Sequence, residues 1–178
     1  MKKWLRTAAM STAVLMIVFT AAYAVNSGYG SSAVEENKTY NLDQMLPYAI
    51  EDEYLARARY SSDIEKFGAQ RPFTNILEAE NMHIMLLKPL FEKYNVAVPE
   101  DIAMQYITVP DSLLGAMKAG IEGESNNMHM YDIFLKQTLP DDVRSVFTVL
   151  RNAAEHHLHA FQRNAGRLEG SFSGRNRQ

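Results

Sequence analysis

The chain of 178 residues contains no cysteine, and this absence excludes several kinds of site. Disulfide bonds, iron–sulfur clusters and thiolate zinc sites all need cysteine, so any bound metal must be held by oxygen, nitrogen or thioether ligands. The chain also lacks an excess of basic residues. Its formal net charge is −3 at pH 7, and a negative chain disfavours binding to nucleic acid.

The N-terminal residues have the pattern of a secretory signal peptide. A basic start, MKKWLR, precedes an apolar stretch and the small-x-small sequence AYA at residues 22–24, which is typical of a cleavage site. Removal of residues 1–24 deletes three basic residues and no acidic one, so the formal charge falls from −3 to −6. If the segment is not cleaved, residues 7–24 would instead anchor the protein in a membrane. In both cases we expect an exported protein, periplasmic or extracellular.

The remaining chain is short for two domains, and at 47% hydrophobic residues it can bury one core. We predict a polar linker over residues 25–40, a helical domain over residues 41–168 and a disordered tail over residues 169–178. Within the domain, apolar residues recur every three to four positions in four stretches, which predicts four α-helices. The helices are expected to run from Leu42 to Phe67, from Pro72 to Tyr94, from Asp111 to Gln137 and from Asp141 to Leu168.

The connections between these helices predict how the helices are arranged. About four residues join the first helix to the second and the third to the fourth, so each pair should form an antiparallel hairpin. The middle connection, residues 95–110, can extend roughly 50 Å at about 3.3 Å per residue, which is longer than a helix of about 24 residues. This length favours an all-α four-helix bundle with one long crossover between helices two and three over a bundle with three short loops.

Glu80 and His83 are the most informative residues of the chain. They lie three positions apart within the apolar run NILEAENMHIMLLKPLF, so both project from the inward stripe of the second helix. A carboxylate and an imidazole placed side by side inside a four-helix bundle can hold one or two metal ions. Polar residues also interrupt the inward stripes of the other three helices, at Glu53, Glu124 and His157.

With these residues the chain resembles the ferritin-like superfamily on its rubrerythrin side, and more closely an uncharacterised bacterial branch of it. The resemblance covers about residues 42–165 and rests on Glu53-x6-Tyr60, Glu80-x2-His83, Glu124 and the sequence AEHHLHAF around His157. It implies a ferritin-like four-helix bundle in which helices one and three each give a terminal carboxylate to a di-iron or di-manganese centre. Helices two and four would each give a bridging glutamate and a histidine. The implied metal ligands are Glu53, Glu80, His83, Glu124 and His157.

The fourth helix departs from this pattern, because Ala154 stands where the second bridging glutamate is expected. Three carboxylates and two imidazoles remain, which suit one metal ion, or two with water or an added bridge. This donor set suits iron or manganese, and zinc is also compatible. Three ionised carboxylates in one dry core would repel each other unless a divalent cation neutralised them or they shared protons. The alternative ligands considered are Glu122, Glu155 and His159.

Three further polar residues lie within one or two helical turns of the implied ligands. Tyr60 and Tyr131 have three interpretations: they orient the carboxylates, they donate electrons, or they pack as ordinary core aromatics. Asn127 follows Glu124 by one turn, so it is a candidate hydrogen-bond partner of a ligand.

The resemblance implies oxidase or peroxidase chemistry if the protein is an enzyme, with iron or manganese as cofactor. Two other classes of function stay open. Methionines beside histidines in an exported chain suit copper, and the relevant residues are Met82, His83, Met85, Met128, His129, Met130, His156, His157 and His159. Alternatively, the missing carboxylate at Ala154 fits a non-catalytic bundle with a degenerate site, acting in stress protection or interaction. A homodimer is compatible with the sequence.

Overall fold

The computed structural model of the protein describes residues 28–175. These residues form four long α-helices and two short 3₁₀ turns, and they contain no β-strand, so the predicted all-α fold class is confirmed. The predicted signal peptide or anchor, residues 1–24, lies outside the described residues. Among the helices that are described, none is long and apolar enough to cross a membrane. The helices are α1 (Leu42–Phe67), α2 (Phe73–Lys93), α3 (Leu113–Leu135) and α4 (Asp141–Arg175).

Helix α1 has the bounds that the sequence predicts, and its two ends explain why. The backbone N–H of Gln44 donates to Asn41 Oδ1 at 3.1 Å, and the N–H of Asn41 donates to Gln44 Oε1 at 3.2 Å. This reciprocal capping box satisfies two N–H groups that the first turn would otherwise leave unpaired. At the other end, Gly68 adopts a φ of 86°, a conformation that glycine adopts without steric cost.

Helix α3 begins later than the sequence predicts. Its cap is Ser112, whose hydroxyl accepts a hydrogen bond from the N–H of Gly115 at 3.1 Å. Serine is one of the preferred N-cap residues, and the sequence offers two such residues in succession. The predicted start at Asp111 is therefore wrong by two positions.

Helix α4 continues to Arg175, past the predicted end at Leu168. Residues 169–175, the first part of the predicted disordered tail, are therefore helical. One contact along this extension is the ion pair between Glu169 and Lys118 of α3, whose charged atoms lie 2.8 Å apart. The sequence pattern misses the extension because this last stretch of helix carries few apolar residues.

Residues 28–40, which belong to the predicted linker, pack against the helices. Tyr29 and Tyr40 are 5% and 4% exposed, and the Tyr29 ring stacks on Tyr106 with 4.4 Å between ring centroids. The backbone N–H of Ser31 donates to Asp52 Oδ1 of α1 at 2.7 Å. The composition of this segment is polar, but its few aromatic residues are enough to hold it against α1.

The helices pack in antiparallel pairs. Across α1 and α3, Glu53 contacts Tyr131 and Tyr60 contacts Glu124, so positions rise on one helix as they fall on the other. Each short connection also joins two antiparallel helices, α1 with α2 and α3 with α4. Helices α2 and α3 consequently point in the same direction, which requires a connection that returns along the molecule.

Residues 94–112 form this connection. At one end, the Tyr94 hydroxyl donates to Asp142, at the start of α4, at 2.7 Å. At the other end, the ammonium group of Lys66, near the end of α1, donates to the carbonyl of Pro110 at 2.6 Å. These two contacts lie at opposite ends of the helices, so the connection runs along their full length.

Two apolar clusters lie on either side of a polar layer. The larger cluster includes Leu46, Ile50, Leu87, Phe91, Tyr131, Phe134, Phe147 and Leu150. The smaller cluster consists of Tyr60, Phe73, Ile76, Ala116, Met117, Phe161 and Ala165. The predicted metal ligands of α2, α3 and α4 lie between these clusters in sequence. They are Glu80, His83, Glu124 and His157. The clusters therefore position these polar side chains inside the protein and limit their contact with water.

Helices α3 and α4 approach each other closely at Gly120. A Cβ atom at this position would lie 2.8 Å from three ring atoms of Phe161, which is completely buried. We expect Gly120→Ala to lower the free energy of unfolding by about 1–3 kcal/mol, because the added methyl overpacks the core.

Gly166 provides the matched control, because a Cβ atom there would meet nothing within 4 Å. We expect Gly166→Ala to raise the free energy of unfolding by up to about 1 kcal/mol, since alanine favours the helix. Urea denaturation of both variants measures the difference. Equal effects of the two substitutions would show that α3 and α4 do not pack tightly at Gly120.

Candidate metal centre

The five side chains predicted as metal ligands lie together in the polar layer, with at least one contributed by each helix. On α2, the spacing of three residues places the carboxylate of Glu80 beside the imidazole of His83. Four of the five residues are 7% exposed or less, and the side chain of His157 is 12% exposed. They are Glu53 of α1, Glu80 and His83 of α2, Glu124 of α3 and His157 of α4.

The carboxylate of Glu80 lies at the middle of this group and faces two imidazoles. Its Oε2 atom is 2.9 Å from Nδ1 of His83, and its Oε1 atom is 3.1 Å from Nδ1 of His157. A second carboxylate lies near each imidazole: Glu53 Oε2 at 3.0 Å from His83 and Glu124 Oε2 at 3.5 Å from His157. The group therefore has two halves that share Glu80.

We call these halves the first half-site (Glu53, Glu80, His83) and the second half-site (Glu80, Glu124, His157). Within each, the nitrogen and oxygen atoms lie within 4.8 Å of one another. Metal ions such as zinc bind nitrogen and oxygen donors at about 2.0–2.2 Å, so two donors at right angles on one ion are about 3.0 Å apart. The separations of 2.9–3.5 Å within the half-sites are compatible with donors around one ion.

The two histidines differ in their hydrogen bonding. Nδ1 of His83 is within hydrogen-bond geometry of both Glu53 and Glu80. Nδ1 of His157 is buried and has no hydrogen-bond partner among the residues that the structure describes, although Glu80 is close to it. Buried polar atoms are nearly always hydrogen-bonded, and a nitrogen that lacks such a partner fits a metal ligand.

Burial and mutual repulsion raise the pKa values of two of the three carboxyl groups. Burial, followed by the negative charge of Glu80, raises the pKa of Glu53 to about 7. Burial also raises the pKa of Glu124. Glu80 is the exception: burial opposes its ionisation, but the imidazoles of His157 and His83 together hold its pKa below the ordinary value. Glu80 is therefore the most readily ionised carboxyl group of the three.

The same contacts hold both imidazoles in the charged form. Burial by itself would lower the pKa of His83, but Glu53 and Glu80 outweigh it and raise the pKa to about 10. For His157, burial is outweighed by Glu124 and Glu80, and the pKa rises to about 9. Among the protein groups alone, the centre is thus a network of buried ion pairs, in which a cation would compete with protons on the histidines.

Two tyrosines hold the outer oxygens of the terminal carboxylates. The Tyr60 hydroxyl donates to Glu124 Oε1, and the Tyr131 hydroxyl donates to Glu53 Oε1 at 2.8 Å. Burial first, and then the nearby carboxylates, raise the pKa values of both tyrosines well above their ordinary value, so both keep the proton that they donate. Each bond fixes one oxygen of a glutamate and leaves Oε2 directed at a histidine. Of the sequence interpretations, orientation of the carboxylates agrees with this geometry.

Asn127 donates to two buried carboxylates, and one of them belongs to Asp52, a residue that no sequence pattern marks. The amide nitrogen of Asn127 donates to Glu53 Oε1 at 3.3 Å and to Asp52 Oδ2 at 2.8 Å. Asp52 is 6% exposed, and its other oxygen accepts the N–H of Ser31. No pattern on α1 reveals this role, because it depends on the packing of residues 28–33 against the helix.

The three alternative ligands lie outside the two half-sites. Glu122 is exposed, because it lies two positions before the buried Glu124 and so points about 200° away from it on α3. Glu155 forms an ion pair with Arg151, with 2.7 Å between the charged atoms. His159 is exposed and lies within hydrogen-bond distance of Gln162, at 3.1 Å.

The methionine and histidine residues of the copper alternative are dispersed. Met82 and Met85 are 55% and 62% exposed, whereas His83 between them is buried. Met82 and Met85, three positions apart, share the exposed side of α2, whereas His83 points inward, so the histidine does not join the methionines in one cluster. His129 is also exposed and pairs with Glu36 at 3.2 Å.

Ala154 of α4 is buried, at 2% exposure. The position at which the resemblance expects a second bridging glutamate therefore does face the interior.

Asp63 of α1 is a buried acid outside the centre. It is completely buried, and neither carboxylate oxygen has a hydrogen-bond partner among the described residues. Burial raises the pKa of Asp63 to about 6, against the opposing effects of Arg59 and Lys66. The folded state therefore binds a proton that the unfolded state has already released at pH 6, which destabilises the protein as the pH rises.

We expect Asp63→Asn to raise the free energy of unfolding at pH 7 by about 1–3 kcal/mol, because it removes this penalty. The gain should shrink as the pH falls from 6 to 4, where the native carboxyl group is protonated as well. Denaturation curves of parent and variant at both pH values measure it. A gain that is the same at pH 4 and pH 7 would contradict the assignment to this carboxyl group.

The fold is similar to that of a protein known from a crystal structure. No protein-family model matches the chain. The chain is 28% identical to "Uncharacterized protein MJ0754" of Methanocaldococcus jannaschii over 64% of this chain and 69% of the relative. The crystal structure of hypothetical protein MJ0754 from Methanococcus jannaschii DSM 2661 superimposes with a TM-score of 0.66 at 22% identity, covering 76% of this chain and 86% of that chain. The chain is thus similar in fold to a protein whose name gives no function.

Proposed function

We propose that the protein is a ferritin-like four-helix bundle that binds one or two ions of iron or manganese between its helices. The observation that carries the proposal is the position of Glu80, whose two oxygens face two different histidines, each with a second carboxylate nearby. The long connection formed by residues 94–112 supports the ferritin-like arrangement. The proposal of export rests on the sequence of residues 1–24.

The donor set supports iron or manganese. Each half-site offers oxygens from two carboxylates and one imidazole nitrogen, a combination that suits these ions and also zinc, and that lacks the soft ligands preferred by Cu(I). In this proposal Glu80 bridges, while Glu53 and Glu124 are terminal ligands held by tyrosine hydroxyls. A redox-active ion bound there would supply electrons for dioxygen or peroxide, so an oxidase or peroxidase is the proposed reaction class.

Because of Ala154, the number of metal ions in the proposal is one or two. With a glutamate at this position, two carboxylates would bridge the half-sites, and with alanine only Glu80 does so. Two ions would then share one protein bridge, and water would complete their coordination. The proposal therefore covers one ion in one half-site as well as one ion in each.

Equilibrium dialysis against Mn(II) tests the two half-sites separately. If two ions bind, we expect two equivalents in the parent and one each in Glu53→Ala and Glu124→Ala, because each substitution removes a terminal ligand of one half-site. Glu80→Ala removes the shared ligand and should abolish tight binding to both. Glu122→Ala is the matched control on the exposed face of α3 and should bind like the parent. Unchanged binding by Glu80→Ala would contradict the proposal.

The hydrogen bond from Tyr131 to Glu53 gives a further prediction. We expect Tyr131→Phe to weaken metal binding by about 10–100-fold, because the outer oxygen of Glu53 loses the nearer of its two donors and keeps only the longer bond from Asn127, which orients the carboxylate less firmly. Dialysis against Mn(II) measures the change. Tyr48→Phe is the control, since the Tyr48 hydroxyl makes no hydrogen bond to a described residue. Equal affinities of the two variants would show that Tyr131 only packs.

A non-catalytic bundle with a structural ion-paired core is the second candidate. The hydrogen bonds of His83 to Glu53 and Glu80 favour it, because they satisfy three buried polar groups without a metal. This candidate predicts that no first-row metal ion binds tightly or changes the stability. Copper binding that depends on Met82 and Met85, and not on Glu80, would instead assign the protein to copper handling.

A further inference from the structure

A basic pocket of about 350 Å³ lies between the start of α2 and the second half of α4. Three arginines line it: Arg71, immediately before α2, and Arg163 and Arg167 on α4. His156 also lines the pocket, because it lies on the same face of α4 as Arg163 and Arg167. The pocket lies outside the metal centre, and the ring of His157 forms part of the wall between them.

All three arginines are exposed to solvent. None of them makes a hydrogen bond or an ion pair with any residue that the structure describes. Elsewhere the arginines are engaged: Arg151 pairs with Asp132, and Arg144 donates to two backbone carbonyls. Three unpaired guanidinium groups around one pocket repel each other, and an anion between them would remove this repulsion.

The start of α2 adds an independent feature that favours an anion. This helix of 21 residues has no side-chain cap and no acidic residue in its first turn. The N-terminus of a helix carries a partial positive charge that attracts anions, although at the start of α2 the N–H of Thr74 is already bonded to the carbonyl of Gln70 at 3.3 Å. The first-turn residue Asn75 lines the pocket, so this end of α2 borders the same space as the arginines.

We propose that this pocket binds a phosphate group. The planar guanidinium group donates two parallel hydrogen bonds to phosphate oxygens, which makes arginine suited to this anion. The pocket also has an apolar part, formed by Pro72, Ile76 and Ala160, and its volume lies in the range of about 300–1,000 Å³ that small organic ligands occupy. The ligand class is therefore a phosphate dianion, either free or carried by a small organic molecule. The proposal does not depend on metal binding.

Titration calorimetry with inorganic phosphate and phenyl phosphate tests this proposal at low ionic strength. We expect both to bind the parent protein, and Arg163→Gln/Arg167→Gln to lose about tenfold or more in affinity. Lys88→Gln/Lys136→Gln is the control, because it removes the same charge from lysines outside the pocket and should keep the parent affinity. Tighter binding of phenyl phosphate would identify an organic phosphate as the ligand, and equal binding would identify inorganic phosphate.

Three outcomes would overturn the proposal. The first is that neither compound binds the parent at millimolar concentration. The second is that the double arginine variant, shown by circular dichroism to be folded, binds like the parent. The third is that binding survives in this variant but is lost in Glu80→Ala, which would place the phosphate on a metal ion. Arg71→Gln gives an independent check, because Arg71 lies on a different segment and should also weaken binding.

Discussion

Adding Fe(II) or Mn(II) without oxygen should raise the melting temperature of the protein by about 10 °C. A ligand that binds only the folded state at 1,000 times its dissociation constant adds about 4 kcal/mol of stability. For a domain of about 150 residues, each kcal/mol raises the melting temperature by about 2–4 °C. We expect this large effect because the candidate ligands come from all four helices and converge only in the folded protein.

Glu80 is the residue on which this stabilisation should depend. The Glu80→Gln variant loses the shared carboxylate, so added metal should leave its melting temperature nearly unchanged. Glu122→Gln carries the same substitution on the exposed face of α3 and should show the full increase. Each variant is compared with its own sample in chelator, which separates metal binding from the effect of the substitution on folding. An equal increase in all three proteins would place the metal elsewhere.

Glu80→Ala should lower the free energy of unfolding by about 3–5 kcal/mol even in the presence of a chelator. The buried imidazoles of His83 and His157 both lose the carboxylate that lies nearest to them. Removing one partner from a buried ion pair costs this much in proteins, and each imidazole would keep only one carboxylate, at a longer distance: Glu53 at 3.0 Å from His83 and Glu124 at 3.5 Å from His157. Urea denaturation at pH 7 measures the loss.

The control for this second effect is again Glu122. Because it is exposed, Glu122→Ala should change the free energy of unfolding by no more than about 0.5 kcal/mol. A loss below about 1 kcal/mol in Glu80→Ala would mean that the imidazoles are neutral or reach water, and the network of buried ion pairs would be wrong. This experiment examines the centre as part of the folded core, and the metal experiment examines it as a binding site.

Helical periodicity predicts much of this protein because the four helices are long and their apolar residues are regular. It gives the bounds of α1, and it places Glu53, Glu80, His83 and Glu124 on inward stripes, where the structure buries them. It also separates Glu124 from the nearby Glu122, since two positions on a helix differ by about 200° in direction.

Features that depend on tertiary contacts are not predictable in this way. Asp52 acquires its hydrogen bonds from Ser31 and Asn127, which come from two distant parts of the chain. The basic pocket brings Arg71 to Arg163 and Arg167, and no local sequence pattern relates them. The end of α4 is missed for a different reason, because its last residues have little apolar periodicity and extend beyond the core.

Elemental analysis of the purified, untagged protein beside a Glu80→Ala/His83→Ala variant tests the central claim most directly. The proposal predicts one or two equivalents of iron or manganese, or of zinc as a substitute, in the parent and essentially none in the variant. Reconstitution with each metal, followed by removal of the excess, provides the same comparison for a preparation that loses metal. Absence of metal from the parent after reconstitution, or equal amounts in both proteins, would contradict the claim that this centre binds metal.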